Sequence, residues 1–264
     1  MIIKSDEIKE QLTHSLIENY KNQDKKLVIL NQNTEISTLK FINAKKILAE
    51  KLNVKFEIVS FNLDDSTEKI INYLNILNAD KSVNGIVVQL PISNAKEVLK
   101  NISIEKDVDC LSPYNLGLFI RGQSKFVPPV VFAVNEMLKS LKINLKGKSV
   151  VLIGSGILTG EPLTSFFIHK NSEVSIVNEF IPQLSLITKQ ADIVISATGV
   201  CNLINNNHVK KGQLLIDLGG GSIDGKLIGD INTQLVKEIA DVVPVPGGVG
   251  PLTVLGIFYN LLNS

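Results

Sequence analysis

Apolar residues along this chain fall into short unbroken runs, separated by stretches where they recur every three or four positions. The short runs predict strands and the periodic stretches amphipathic helices. Residues 5–22 place Ile8, Leu12, Leu16 and Ile17 on one helical stripe, with Ser5 as the cap and Asp6 and Glu7 in the first turn. Leu27-Val28-Ile29-Leu30 predicts a first strand, residues 35–52 a second helix, and the alternating residues 54–59 a second strand. Ser66 to Leu77 suits a helix, and Gly85 to Pro91 a third strand, apolar on both faces as a central parallel strand is. Residues 118–126 are loop-like and basic, and a domain boundary is placed there. Pro128-Pro129 then opens a helix over Val130–Leu138, and strands follow at 148–154, 173–179, 191–199 and 214–221. An edge segment at 225–230 and an apolar helix at 252–262 close the chain. Strand–helix alternation throughout predicts an α/β protein.

The strand at 148–154 runs into Gly154-Ser155-Gly156-Ile157-Leu158-Thr159-Gly160-Glu161-Pro162, a G-x-G-x-x-x-G turn before an apolar helix. Such a turn brings backbone N–H groups and the positive end of a helix up to a phosphate. The plainer reading is a glycine-rich turn with no ligand. Glu179 lies 25 residues after Gly154, near where a dinucleotide fold keeps the carboxylate for the adenosine ribose. A carboxylate there repels a 2′-phosphate and favours NAD over NADP. Against this stands a strand-end acid in water. The strands at 191–199 and 214–221 end in small residues, Thr198 and Gly199 in one and Gly219 in the other, which let backbone approach a cofactor.

In the second helix Phe41, Lys45, Leu48 and Leu52 share one face, so Lys45 points toward the interior or a cleft. A lysine stripped of water loses basicity and gains use in proton transfer; one snorkelling at the rim of the core does not. Gln89 ends the third strand, where open α/β sheets bind ligands. Asp107 and Asp109 precede the turn-rich Cys110-Leu111-Ser112-Pro113-Tyr114-Asn115, which is either turn chemistry or a buried carboxylate that accepts N–H groups from a polar ring. Residues 243–254, dense in Pro and Gly, form an irregular loop that exposes backbone groups.

Composition narrows the class. Lys and Arg number 27 against 26 Asp and Glu, a net charge of +1, which argues against nucleic acid and membrane surfaces as partners. No apolar run reaches membrane-spanning length, and the opening Met1-Ile2-Ile3-Lys4-Ser5-Asp6 turns polar at once, unlike a signal peptide. Cys110 and Cys201 have no metal-type spacing, His14, His169 and His208 are scattered, and a reducing cytoplasm is the simplest setting.

Three segments carry a resemblance. Pro244-Val245-Pro246-Gly247-Gly248-Val249-Gly250-Pro251-Leu252-Thr253-Val254, Gly85-Ile86-Val87-Val88-Gln89-Leu90-Pro91 and Lys106-Asp107-Val108-Asp109 resemble the bifunctional methylenetetrahydrofolate dehydrogenase/methenyltetrahydrofolate cyclohydrolase family, nearly end to end. The resemblance implies a folate-binding three-layer domain at 1–120, joined by the C-terminal helix 247–264, and a Rossmann-like NAD(P) domain at 121–246. It implies catalytic roles for Lys45, Gln89 and Asp109, with Phe41, Asp109, Pro246, Gly247, Gly248 and Pro251 at the folate. Gly154, Ser155, Gly156, Gly160, Glu179, Thr198, Gly199 and Gly219 would line the dinucleotide, with no metal. The implied partners are tetrahydrofolate derivatives and a second copy in a homodimer. The chain departs from the family pattern at several places: Phe41 replaces the tyrosine, Ser155 an arginine that helps neutralise a 2′-phosphate, Glu179 a small polar residue and Cys110 a glycine, and Pro128-Pro129-Val130-Val131 stands for a P-S/C-T-P segment. Ser155 and Glu179 together favour NAD. The alternatives are a dehydrogenase without cyclohydrolase activity, because Phe41 has no hydroxyl to tune Lys45, and a non-catalytic dinucleotide or folate binder.

Overall fold

The computed structural model describes residues 1–21, 23–178 and 180–264, in two compact units. One comprises Gln11–Pro129 with Val254–Ser264, the other Met1–Glu10 with Val130–Thr253. The chain opens with α1 (Asp6–Asn19).

The Gln11–Pro129 unit is built on β1 (Lys26–Asn31), α2 (Ile36–Lys51), β2 (Lys55–Ser60), α3 (Thr67–Ala79), β3 (Gly85–Gln89), α4 (Ala95–Lys100) and α5 (Pro113–Ile120). Its strands are parallel and pair in the order β2-β1-β3. Alternation sends Val28, Leu30, Ile86 and Val88 into a core with Ile70, Leu74 and Leu77 of α3 and Val98 and Leu99 of α4. Leu27, Ile29 and Val87 point to the opposite face and are fully buried too. On that face Gly85 leaves room for Leu261 and Val108; an added Cβ would approach Leu261 Cδ1 to 2.7 Å. Leu261 belongs to the last helix, so the chain's end does return to this unit and completes three layers.

Two polar devices hold the far end of this sheet. Lys106 Nζ donates to the carbonyls of Leu77, Asn78 and Asp80 at 2.8, 2.7 and 2.7 Å, capping the C-terminus of α3, where carbonyls carry partial negative charge. Asp107, fully buried, accepts from Leu111 N, Ser112 N and Asn115 Nδ2 at 3.1, 2.8 and 3.1 Å. At Asp107 the turn-chemistry alternative holds: its carboxylate fastens the turn that follows it. Cys110 follows at φ +55°, a left-handed conformation that favours glycine.

The other unit contains α6 (Pro129–Ser140) from its second residue on, then β4 (Ser149–Ile153), α7 (Gly160–His169), β5 (Glu173–Val177), α8 (Leu184–Thr188), β6 (Ile193–Ser196), β7 (Leu214–Asp217), β8 (Gly221–Ile223), β9 (Lys226–Ile228), α9 (Thr233–Val236), β10 (Asp241–Val243) and the start of α10 (Gly250–Leu262). Five parallel strands pair as β10-β7-β6-β4-β5. The chain runs outward from β4 to β5, then crosses back to β6. The switch point is therefore between β4 and β6, where doubly wound sheets bind ligands at the strand C-termini. Val151, Ile153, Val194, Leu215 and Val242 share one buried face with Leu184, Ile204 and Val236.

Several expectations are corrected here. The 225–230 segment is not a sheet edge: β9 pairs antiparallel with β8 in a separate hairpin. Residues 1–10 belong with the second unit, because they zip onto β10: Ile3 N donates to Val242 O at 2.7 Å and Val242 N to Met1 O at 2.8 Å. Ser5 Oγ, expected as a helix cap, donates to Gly247 O at 3.3 Å, beside the 3.0 Å bond from Ser5 N. That pair of bonds holds the Pro-Gly loop to the same unit, so the return to the first unit starts at Val254 rather than at 247. The earlier crossing falls at Pro129/Val130 instead of 120/121, where the proline pair opens α6.

Candidate active site

In the first unit, three segments converge at the C-terminal end of the sheet. Lys45 sits mid-helix on α2 and is 6% exposed, so the snorkelling alternative fails. Its Nζ donates to Gln89 Oε1 at 2.5 Å. Gln89, the last residue of β3, turns its Nε2 to Leu90 O at 3.2 Å, which fixes which face of the amide meets the lysine. Burial lowers the Lys45 pKa from 10.5, and the charge of Asp109 opposes that shift. Asp109 is half-buried, and no described residue donates a hydrogen bond to its carboxylate. Burial pushes its pKa up to about 6; the Lys45 ammonium opposes the rise and the Asp107 carboxylate adds to it. A buried lysine of lowered basicity, an amide that orients it and an acid with unused acceptors can move a proton and hold a ligand's N–H groups. Phe41, one helical turn before Lys45, is 45% exposed, an open aromatic face.

Asp109 is therefore costly to ionise in the folded state. The fold favours the protonated carboxyl, so this group's contribution to stability is full below 3.8 and lost as pH rises through about 6. Asp109→Asn is expected to stabilise the protein at pH 8 by on the order of 2 kcal/mol and to flatten the loss of stability between about pH 4 and 6. Denaturant melts at both ends of that window measure it. An Asp109→Asn variant weaker than wild type at pH 8 would contradict the burial argument.

In the second unit, the glycine-rich turn sits at the switch point. Gly154 takes φ +104°, and a Cβ there would lie 2.6 Å from Ala197 O at the end of β6. A Cβ on Gly160 would run into Gly154 O and come within 2.5 Å of Ser155 Cα. These glycines let α7, the turn and β6 pack backbone to backbone. A Cβ on Gly156 meets nothing within 4 Å. Ser155, Gly156, Ile157 and Leu158 are exposed, and no described residue accepts from their backbone N–H groups. Free N–H groups at the N-terminus of a helix fit an anion such as a pyrophosphate. Thr198 is committed elsewhere: its Oγ1 donates to Asp230 Oδ2 at 2.8 Å. Gly199 stays open at φ +76°, and Gly219 packs against the Asp230 carboxylate. Glu179 lies outside the described residues.

Pro246, Gly247, Gly248 and Pro251 belong to this second unit, not to the one that holds Lys45. Pro246 follows a cis peptide bond, Gly247 takes φ +95°, and a Cβ on Gly248 would strike Pro244 O. The residues missed from sequence are Lys106 as a helix cap, the buried pair Asp217 and Asp230, and Asn260. Asn260 donates to Val108 O and Val127 O, both at 2.8 Å, and accepts from Val127 N at 3.1 Å. No local spacing signals these roles, since most of the partners lie far along the chain.

The tetrahydrofolate dehydrogenase/cyclohydrolase catalytic-domain model matches residues 3–109, and the NAD(P)-binding-domain model matches residues 128–264. The bifunctional protein FolD of Lactobacillus delbrueckii subsp. bulgaricus is 38% identical over 233 residues, covering 87% of this chain and 82% of that protein. The bifunctional FolD enzyme of Campylobacter jejuni superposes with a TM-score of 0.94 at 28% identity, over 99% of this chain and 97% of that one. The Trypanosoma brucei dehydrogenase-cyclohydrolase, solved with NADP cofactor and inhibitor, gives 0.93 at 27% identity, over 100% and 96%. The two domain models together span most of the chain, on either side of the Pro-Pro crossing, and the chain belongs to the tetrahydrofolate dehydrogenase/cyclohydrolase family.

Proposed function

We propose that this protein oxidises 5,10-methylenetetrahydrofolate to 5,10-methenyltetrahydrofolate and hydrolyses that product to 10-formyltetrahydrofolate, using Lys45, Gln89 and Asp109. Family membership supplies both activities. The observation that carries the residue assignment is the Lys45–Gln89 bond inside the unit matched as catalytic. A dinucleotide held by the turn at Gly154, Ser155, Gly156 and Gly160 would supply the hydride acceptor for oxidation of the folate methylene carbon.

The chain's own residues do the rest. Asp109, with acceptors free, bonds the pterin amino and ring N–H groups. The exposed ring of Phe41 lies along the flat folate. Pro246, Gly247, Gly248 and Pro251, in the second unit, offer backbone groups suited to a folate. In hydrolysis a water oxygen bonds to the methenyl carbon, and the bond from that carbon to N5 breaks. One water proton goes to N5 and the other is released. Lys45 Nζ, held by Gln89 Oε1, accepts and returns a proton at these steps, and its lowered basicity suits both directions.

The turn at Gly154, Ser155, Gly156 and Gly160 holds the pyrophosphate, with Thr198, Gly199 and Gly219 beside the rest of the dinucleotide. We infer a preference for NAD, from Ser155 in place of an arginine and from an acid, Glu179, 25 residues after Gly154 in the sequence. The protein acts as a homodimer in the cytoplasm, in the one-carbon supply to purine synthesis. No helix among the described residues is long and apolar enough to cross a membrane. Spectrophotometry with methylenetetrahydrofolate tests the reading: both dinucleotide reduction and loss of the methenyl product are expected, faster with NAD than NADP. Ser155→Arg with Glu179→Ser should move that ratio toward NADP by roughly tenfold, about 1.4 kcal/mol. An unmoved ratio would remove the charge argument.

A further inference from the structure

Two fully buried acids in the second unit take no part in the chemistry described above. Asp217, the last residue of β7, accepts from Gly219 N at 2.9 Å and Asp230 N at 3.1 Å on Oδ1, and from Ile231 N at 2.9 Å on Oδ2. Asp230 accepts three bonds on Oδ2: Ser196 Oγ at 2.7 Å, Thr198 N at 2.6 Å and Thr198 Oγ1 at 2.8 Å. Its Oδ1 is buried without a hydrogen-bond partner among the described residues.

The two acids explain two glycines. A Cβ on Gly219 would run into Asp230 Oδ1, and a Cβ on Gly229 into Asp217 Oδ2. Each carboxylate thus presses on the glycine beside the other. Between Gly219 and Gly229 the chain leaves and returns as the β8–β9 hairpin. The base of that hairpin is joined to the loop after β6 by Asn202 N to Gly229 O at 3.0 Å and Ile204 N to Asp230 O at 2.9 Å. Asp230 therefore ties the loops after β6 and β7 together beside the switch point.

We propose that Asp230 is a positioning residue for the dinucleotide: its carboxylate sets the Thr198–Gly199 loop at the distance the cofactor needs. This rests on the reading of the second unit as the dinucleotide-binding one. A single oxygen carries all three bonds to β6 and its loop. The orphaned oxygen is the cost of reaching that point, since an unpartnered buried acceptor is unfavourable. An Asn at 230 can keep its one carbonyl oxygen where Oδ2 lies and put its amide nitrogen at the orphaned position. An Ala can hold nothing.

The test measures steady-state kinetics on the purified full-length enzyme and three variants: Asp230→Ala, Asp230→Asn and, as a stability control, Val236→Ala, fully buried in the same unit. Asp230→Ala is expected to raise the dinucleotide KM at least ~10-fold, with the folate KM within about twofold. Asp230→Asn is expected to keep the dinucleotide KM within about threefold of wild type, even if it melts earlier. The assignment is overturned if Asp230→Ala leaves the dinucleotide KM unchanged, if Asp230→Asn is as impaired as Asp230→Ala, or if Val236→Ala raises that KM equally. If Asp230→Ala does not fold, Asp230→Asn decides: a dinucleotide KM raised tenfold with the folate KM intact overturns it. A wild-type enzyme that reduces neither NAD nor NADP would instead remove the reading of the unit, and the inference with it.

Discussion

Lys45→Met is expected to cut methenyltetrahydrofolate hydrolysis by ~10²–10⁴-fold while leaving the folate KM close to wild type. The size follows from the role: a positioned proton carrier is worth that much, and nothing else within the described residues occupies the position facing Gln89 Oε1. Methionine fills much the same volume without a charge. The same substitution should stabilise the fold. Lys45 is buried and desolvation lowers its basicity, so the fold disfavours its charged form. The sign is that of a depressed base: its contribution to stability is full above 10.5 and lost as pH falls through the folded value. Removing it should therefore raise the Tm near neutral pH. Gln89 is half-buried, so water can replace the lost donor. A variant more stable and hydrolytically dead separates catalysis from folding. Unchanged hydrolysis would remove Lys45 from the mechanism.

Gly160→Ala is expected to do the opposite. A Cβ there runs into the carbonyl of Gly154 and the backbone of Ser155, and neither can rotate away as a side chain would. The turn must shift, and a displacement near 1 Å in a binding element costs on the order of 100-fold in the step it serves. Dinucleotide-dependent oxidation should therefore fall by about that factor, with overpacking costing ~1–3 kcal/mol of stability. Hydrolysis of preformed methenyltetrahydrofolate should stay within about twofold of wild type, because Lys45, Gln89 and Asp109 all lie in the other unit. Two variants with opposite phenotypes would assign one activity's chemistry to each unit. Parallel loss of both activities in Gly160→Ala would contradict that division.

What can be read from sequence follows from how local each signal is. Buried parallel strands announce themselves as apolar runs, so β1, β3, β4, β6 and β7 fall close to where the pattern puts them. Lys45 is legible because helical spacing alone puts it on a face with Leu48 and Leu52, and both are buried beside it. Phe41 shares that spacing and is nonetheless exposed; periodicity gives a direction, not what lies there. Asp107 and Asp109 are two apart in a turn, and composition cannot say which one spends its oxygens on the fold. The answer depends on Asn115 folding back from the start of α5. Asp217 and Asp230 are separated by a whole hairpin, and the Ser5–Gly247 bonds join opposite ends of the chain. Such pairings leave no local trace, which is why sequence alone misplaces the domain boundary and the Ser5 cap.

The central claim is that Lys45 and Asp109 share one desolvated site. Titration of Lys45 by NMR, followed at its ε-carbon in wild type and in Asp109→Asn, tests it most directly. The expected midpoint lies below 10.5 in the wild type and lower still in Asp109→Asn, because the Asp109 charge props the lysine up. A wild-type midpoint at or above 10.5 that Asp109→Asn fails to move would contradict it.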